Sequence, residues 1–163
     1  MNTTTGLELL VAQAWIYSRL TGDPSTIAAF AERENPATEA PMTPDEQVWE
    51  YRAPEAVAPP FITYRREAPG LDVTGLGGNR IYTRIPYLIT VTGVGENWDH
   101  DDLYACIERL FGLAVNIPVA EPEGYIEACV RREVFDQYAD AAGLHYRHLG
   151  GIYEIAVQAA AAA

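Results

Sequence analysis

Between Ile81 and Thr92 the chain alternates. Ile81, Ile85, Tyr87, Ile89 and Val91 stand at odd positions, and Arg84, Thr90 and Thr92 at even ones. Successive strand side chains point to opposite faces, so this stretch makes a strand with one apolar and one largely polar face. An apolar sheet face needs a cover. Residues 7–20, LELLVAQAWIYSRL, offer one: Leu7, Leu10, Val11, Ala14 and Tyr17 follow helical three-and-four spacing, and Leu9, Ile16 and Leu20 widen the face. Thr5 is placed as N-cap with Glu8 completing a capping box, and Gly22 is placed to end the helix in a left-handed cap.

The remaining segments extend this plan. Asp23-Pro24-Ser25 starts a second helix of one or two turns, and residues 23–46 as a whole read as a surface excursion, with prolines and no apolar period after Glu34. Val48–Arg52 is a short strand flanked by Pro54 and Pro59-Pro60, which places it at a sheet edge. A second β-run from Pro59 precedes the alternating strand, joined to it by a glycine-rich loop of about twelve residues, Ala68 to Asn79, where hairpins typically use two to five. Asn97 and Asp99 lead into a helix whose buried face is Leu103, Cys106 or Ile107, Leu110 and Phe111, with Asp99, Asp101 and Asp102 favouring its positive end and Gly112 stopping it. A loop with Pro118 and Pro122 follows. Residues 124–135 form another strand, with Ile126, Ala128, Val130 and Val134 on one face, and a polar link runs from Asp136 to Gly143. In the last strand Leu144 and Tyr146 are even but Tyr153, Ile155 and Val157 are odd, so a β-bulge at Gly150-Gly151 is expected. The expected fold is α+β: an antiparallel-rich mixed sheet, two α-helices packed on one face, and a long β-hairpin arm. Residues 1–158 make one domain, and residues 159–163 are an alanine-rich tail.

Chemistry-bearing patterns are sparse. His145 and His148 sit three apart on a strand and face opposite sides, and Cys106 and Cys129 are isolated, so zinc spacing is lacking. His100 among Asp99, Asp101 and Asp102 is imaginable as a metal or acid/base cluster, although helix-dipole complementarity explains it equally. Gly75, Gly77 and Gly78 lack the phosphate-loop pattern and precede a strand, and Ser18 and Ser25 sit in no nucleophile elbow. No catalytic, cofactor-binding or metal-binding residue is assigned. A net charge of −12 argues against tight nucleic-acid binding. There is no run of about 18 apolar residues to cross a membrane and no signal-peptide pattern, which points to assembly in a reducing cytoplasm.

All eleven basic residues are arginine. Arg65, Arg66, Arg80 and Arg84 cluster on the central strands, while Arg131, Arg132 and Arg147 lie on the last two. They read either as a solvated face paired with local acids or as a surface for an acidic partner copy.

Several segments together resemble the tail terminator (tail completion) proteins of long-tailed bacteriophages and gene transfer agents. These are VWEYRAPEAVAPPFITYRRE, RIYTRIPYLITVTG, LYACIERLFGL, YIEACVRREV and HYRHLGGIYEIAV. Val48-Trp49, Ala53-Pro54 and Pro60-Phe61 match a V-[FWY]…A-P…P-[FY] segment. Gly143, Arg147, His148, Gly150, Gly151 and Tyr153 match the closing strand. The resemblance covers residues 7–20 and 48–157. It implies a non-enzymatic virion protein that forms a ring, usually a hexamer, at the head-proximal end of the tail tube. There it would stop tube polymerisation and meet the head-completion or stopper protein, with DNA passing through the lumen unbound. Another neck protein, a stopper or adaptor, is the neighbouring alternative, and a small metal- or ligand-binding domain the remote one. In this setting Leu71, Val73 and Leu76, flanked by Arg80 and Arg84, become the expected contacts with a neighbouring subunit or the tube, on an arm that orders when it docks.

Overall fold

The computed structural model describes residues 5–78, 80–95 and 100–159. Its elements follow in the order α1 (Thr5–Gly22), α2 (Pro24–Ala31), α3 (Pro44–Gln47), β1 (Val48–Glu50), β2 (Phe61–Arg66), β3 (Leu71–Thr74), β4 (Arg80–Val94), α4 (Asp101–Phe111), β5 (Leu113–Val119), β6 (Gly124–Ala141) and β7 (Leu144–Ala159). A seven-stranded sheet runs β1-β2-β4-β7-β6-β5, with β3 paired to β4. The β1–β2 pair is parallel and the others antiparallel, so the fold is α+β with a mixed sheet.

The spine of the sheet is β4. Its later half pairs with β2 (Tyr87–Thr92), its first half with β3 (Arg80–Arg84), and its other edge with β7 from Thr83 to Val94. The odd residues Ile85, Tyr87, Ile89 and Val91 are buried as the alternation requires, whereas Ile81, near the hairpin end, is exposed. Opposite them, α1 supplies Val11, Trp15, Ile16 and Leu20, and α4 supplies Leu103, Ile107, Leu110 and Phe111. Trp15 meets Phe111 edge-on at 5.3 Å between centroids, and Phe111 lies 5.9 Å from Tyr153 of β7, so both helices close on one sheet face. Fully burying each large aliphatic side chain there stabilises the fold by about 1.5–3 kcal/mol.

The helical cover is turned from its expected face. Leu10 and Tyr17 are exposed, and Trp15 faces inward with Val11 and Ala12. Glu8 is buried in an ion pair with Arg80; Thr5, the expected N-cap, opens α1, and its side chain lies outside the described residues. Gly22 has no positive φ, because α1 runs straight into Asp23, the N-cap of α2. Asp23 accepts from the Thr26 backbone N–H at 2.8 Å and from its hydroxyl at 2.9 Å. Residues 23–46 are not simply a surface excursion: Thr26, Phe30 and Met42 are buried, and the tip near residues 34–41 is exposed. The short β1 does lie at a sheet edge.

Three segments depart from expectation in the second half. The loop with Pro118 contains β5, an edge strand in which Asn116 takes φ 52° and breaks the alternation. The polar link after Phe135 is strand: β6 continues to Ala141, and only Ala142 and Gly143, at φ 52° and 78°, make the turn into β7. The bulge expected at Gly150-Gly151 is elsewhere. The β4–β7 register is continuous, and the shifts fall in β6, between Ile126 and Ala128 and between Arg131 and Glu133. The first shift turns Cys129 rather than Ala128 or Val130 to the core. Leu149, Tyr153, Ile155 and Val157 share one face throughout, and the even residues Leu144 and Tyr146 belong to the projecting end of the hairpin. Gly150 serves close approach instead, since a Cβ there would stand 2.0 Å from the Ile89 carbonyl oxygen. Asn97, Asp99 and residues 160–163 of the alanine tail lie outside the described residues.

Candidate interaction surface

The central arm is more ordered than its glycines suggest. Arg66 faces Tyr87 and Leu71 faces Arg84, so five steps along β2–β3 match three along β4. A two-residue bulge therefore interrupts one continuous edge, and the free loop shrinks from twelve residues to the turn after Thr74. Leu71 is 61% exposed, Val73 is half-buried, and Leu76 in the turn is fully exposed. Leu71 and Val73 pair with Arg84 and Tyr82 and share one face.

The two expected contact arginines have acidic partners within the chain. Arg80 pairs with Glu8, which is 1% exposed, and lies 3.8 Å from Asp72, whose carboxylate also accepts from the Thr83 hydroxyl at 2.7 Å. Arg84 lies 3.7 Å from Glu154, which also pairs with Arg132 at 2.6 Å. These arginines brace the root of the arm against α1 and β7; the apolar residues remain outward. Elsewhere Arg33 pairs with Asp102, Arg109 with Asp23, Arg131 with Glu108 and Arg147 with Asp136. Most of the arginines thus have an acidic partner within the chain. The guanidinium of Arg147 also holds the Asp136 carboxyl below its usual range.

The sheet face turned away from α1 and α4 holds a groove that the sequence did not reveal. It measures about 330 Å³ and lies between the segment after β1 and the far half of β6. Tyr51, Phe61, Leu88 and Phe135 are its apolar lining, and Thr63, Thr90, Thr92 and His148 its polar floor. Thr90 and Thr92 are buried although polar, because the groove walls shelter them. On the floor the Thr63 and Thr90 hydroxyls are 3.1 Å apart, and the Thr92 hydroxyl is 2.8 Å from His148 Nδ1. Burial holds the His148 imidazole below its ordinary value. Arg52 and Arg65 reach the groove already paired with Glu55 and Glu67, at 3.1 and 2.8 Å. Further exposed apolar side chains lie on the hairpins: Leu113 and Val115 on β5, Tyr125, Val134 and Tyr138 on β6.

The remaining candidates have structural partners. Asp102 accepts from the Leu103 N–H and from Arg33, both at 2.8 Å. His100 is buried against Gly93, where a Cβ would come within 2.2 Å of its Nδ1. Among the described residues no three His, Cys, Asp or Glu side chains gather to hold a metal ion, and no helix is long and apolar enough to cross a membrane. Cys129 is buried, donates to the Phe111 carbonyl at 3.2 Å, and has its thiol pushed up to about 12 by burial.

No protein-family model and no curated protein matches the sequence. A solved structure aligns with 96% of this chain and 100% of its own, at 16% identity and a TM-score of 0.48, a likeness too loose to bear on function.

Proposed function

We propose that this chain is a ring-forming tail terminator that caps a phage tail tube at its head-proximal end. The observation that carries the reading is the uneven covering of the sheet. One face is closed by α1 and α4, while the other keeps an open groove, and apolar residues stay exposed on the hairpins (Leu71, Leu76, Val134, Tyr138). Such surface suits a subunit that spends its working life between neighbours. The charge balance supports the same reading. With a net charge of −12 and most arginines already ion-paired, a ring of these chains would let DNA slide past without holding it.

The test is the mass of the purified chain alone, mixed with its tail-tube protein, and mixed with a portal-side protein. A ring formed with the tube supports termination. A ring formed only with the portal-side protein supports the stopper or adaptor reading, and a monomer in all three mixtures removes both.

A further inference from the structure

One edge of the sheet is left open along a full strand length. β5 pairs with β6 only from Gly124 to Val130, and Arg131 then gives its N–H to the Gly112 carbonyl at 3.4 Å. After the register shift at Arg131–Glu133, residues Glu133–Ala141 stay paired to β7 on one side. On the other side they have no backbone partner among the described residues, and all but Phe135 are exposed. Such an edge is a row of N–H and C=O groups that can template another strand, and proline or lysine commonly blunts it. Neither residue occurs between Glu133 and Ala141. We propose that a second copy of this chain completes the sheet here, its own Glu133–Ala141 running antiparallel about a twofold axis at Gln137.

Two observations select this occupant. The first is length. The other edges are short or broken: β1 has three residues, β3 has four, and β5 is interrupted by Asn116 at φ 52° and by Pro118. Within this chain the segment that matches the open edge over its whole length is that same edge in another copy.

The second is self-complementarity. A twofold axis normal to the sheet preserves its two faces, so it passes through a residue and not between two. With the axis at Gln137 every residue from Glu133 to Ala141 finds a partner. Asp136 meets Tyr138, Val134 meets Asp140 and Glu133 meets Ala141, so no two carboxylates oppose each other. On the axis, Gln137 carries both an amide donor and a carbonyl acceptor and can bond its own copy. Moving the axis to Asp136 sets that carboxylate against itself, and moving it to Tyr138 sets Asp136 against Asp140; like charges directly opposite are destabilising. Moving it to Phe135 drives the partner strand into the register shift. The two acids nearest the chosen axis are already engaged in their own chain, Asp136 with Arg147 at 2.9 Å and Asp140 with His145 at 2.5 Å. An isologous pair of this kind closes at two copies. It belongs to the free chain and does not depend on the ring reading.

The direct test is Gln137→Cys, oxidised mildly; Cys106 and Cys129 are buried. A disulfide-linked dimer is expected, because residues opposed across antiparallel strands have Cα atoms about 4.5–5.5 Å apart. Glu133→Cys should stay unlinked, since its copy lies roughly 26 Å away along the strand. Any other pattern of linking between the two variants overturns the pairing. In sedimentation equilibrium, Gln137→Glu and Gln137→Lys should each weaken self-association about fivefold by opposing like charges, and an equimolar mixture of the two should restore it. A mixture that associates no better than either variant alone overturns it as well. If the Gln137→Cys dimer forms but no ring appears on the tube, the ring reading fails and the pairing stands. If a ring caps the tube while Gln137→Cys stays monomeric, the pairing fails and the ring reading stands.

Discussion

The two faces of the sheet use the same strands for different ends. On the helix side, Ile85, Tyr87 and Ile89 are sealed by Trp15, Ile107 and Phe111 into one apolar cluster. On the other side, Leu88 and Thr90 are sheltered with no helix lining their groove, and Thr90 bonds to Thr63 across the strands. The first face stabilises the fold by removing apolar area from water. The second keeps an open groove lined by Tyr51, Phe61, Leu88 and Phe135. Perturbing the first face should therefore damage folding, and perturbing the second should damage assembly.

The largest effect is expected at the helix-side cluster. Phe111→Ala removes a buried ring packed on both Trp15 and Tyr153 and should cost about 3–5 kcal/mol in urea unfolding. A loss under 1 kcal/mol would mean that α4 is not part of the cover. Next comes the brace at the arm's root. Glu8→Ala leaves the largely buried Arg80 with only the more distant Asp72 carboxylate and should cost about 3 kcal/mol. Replacing the pair by Glu8→Leu with Arg80→Met should recover much of that loss; no recovery would show that the pair is more than a local tie.

Acid sensitivity is a smaller effect and reaches the groove itself. Burial holds both His100 and His148 below the ordinary 6.5 of an imidazole. The unfolded chain therefore takes up protons that the folded chain resists. Stability from these groups is complete above about pH 6.5 and is lost as pH falls from there towards the folded values. The unfolding free energy should drop between pH 7.5 and 5.5, and His148→Gln should flatten part of that drop. An unchanged slope would place His148 in a more open setting than the groove floor.

Much of the helix-side face was legible because burial on one side leaves a period in the sequence. The α4 face and the odd residues of β4 follow directly from it. The face of α1 was harder: apolar residues nearly encircle the helix, so Leu10 and Trp15 could exchange roles. The groove left no such trace. Its Thr90, Thr92, Gln137 and His148 look like solvent-facing residues until the sheet brings β2, β4, β6 and β7 side by side. The far half of β6 reads as a link in sequence because most of its residues are exposed on both faces, and Asn116 and Pro118 hide β5. At the arm, Leu71 and Leu76 are exposed, whereas Val73 is half-buried. The ion pairs of Arg80 and Arg84 left no local signal, because their partners, Glu8 and Glu154, lie some 70 residues away in sequence.

The contrast between the faces is tested most directly by amide hydrogen exchange on the chain free and assembled on the tube. New protection should be confined to the groove strands and the arm, in peptides spanning residues 61–66, 71–78, 88–92 and 133–138, with α1 and α4 unchanged. Protection gained on α1 and α4, with the groove strands exchanging as before, would contradict it.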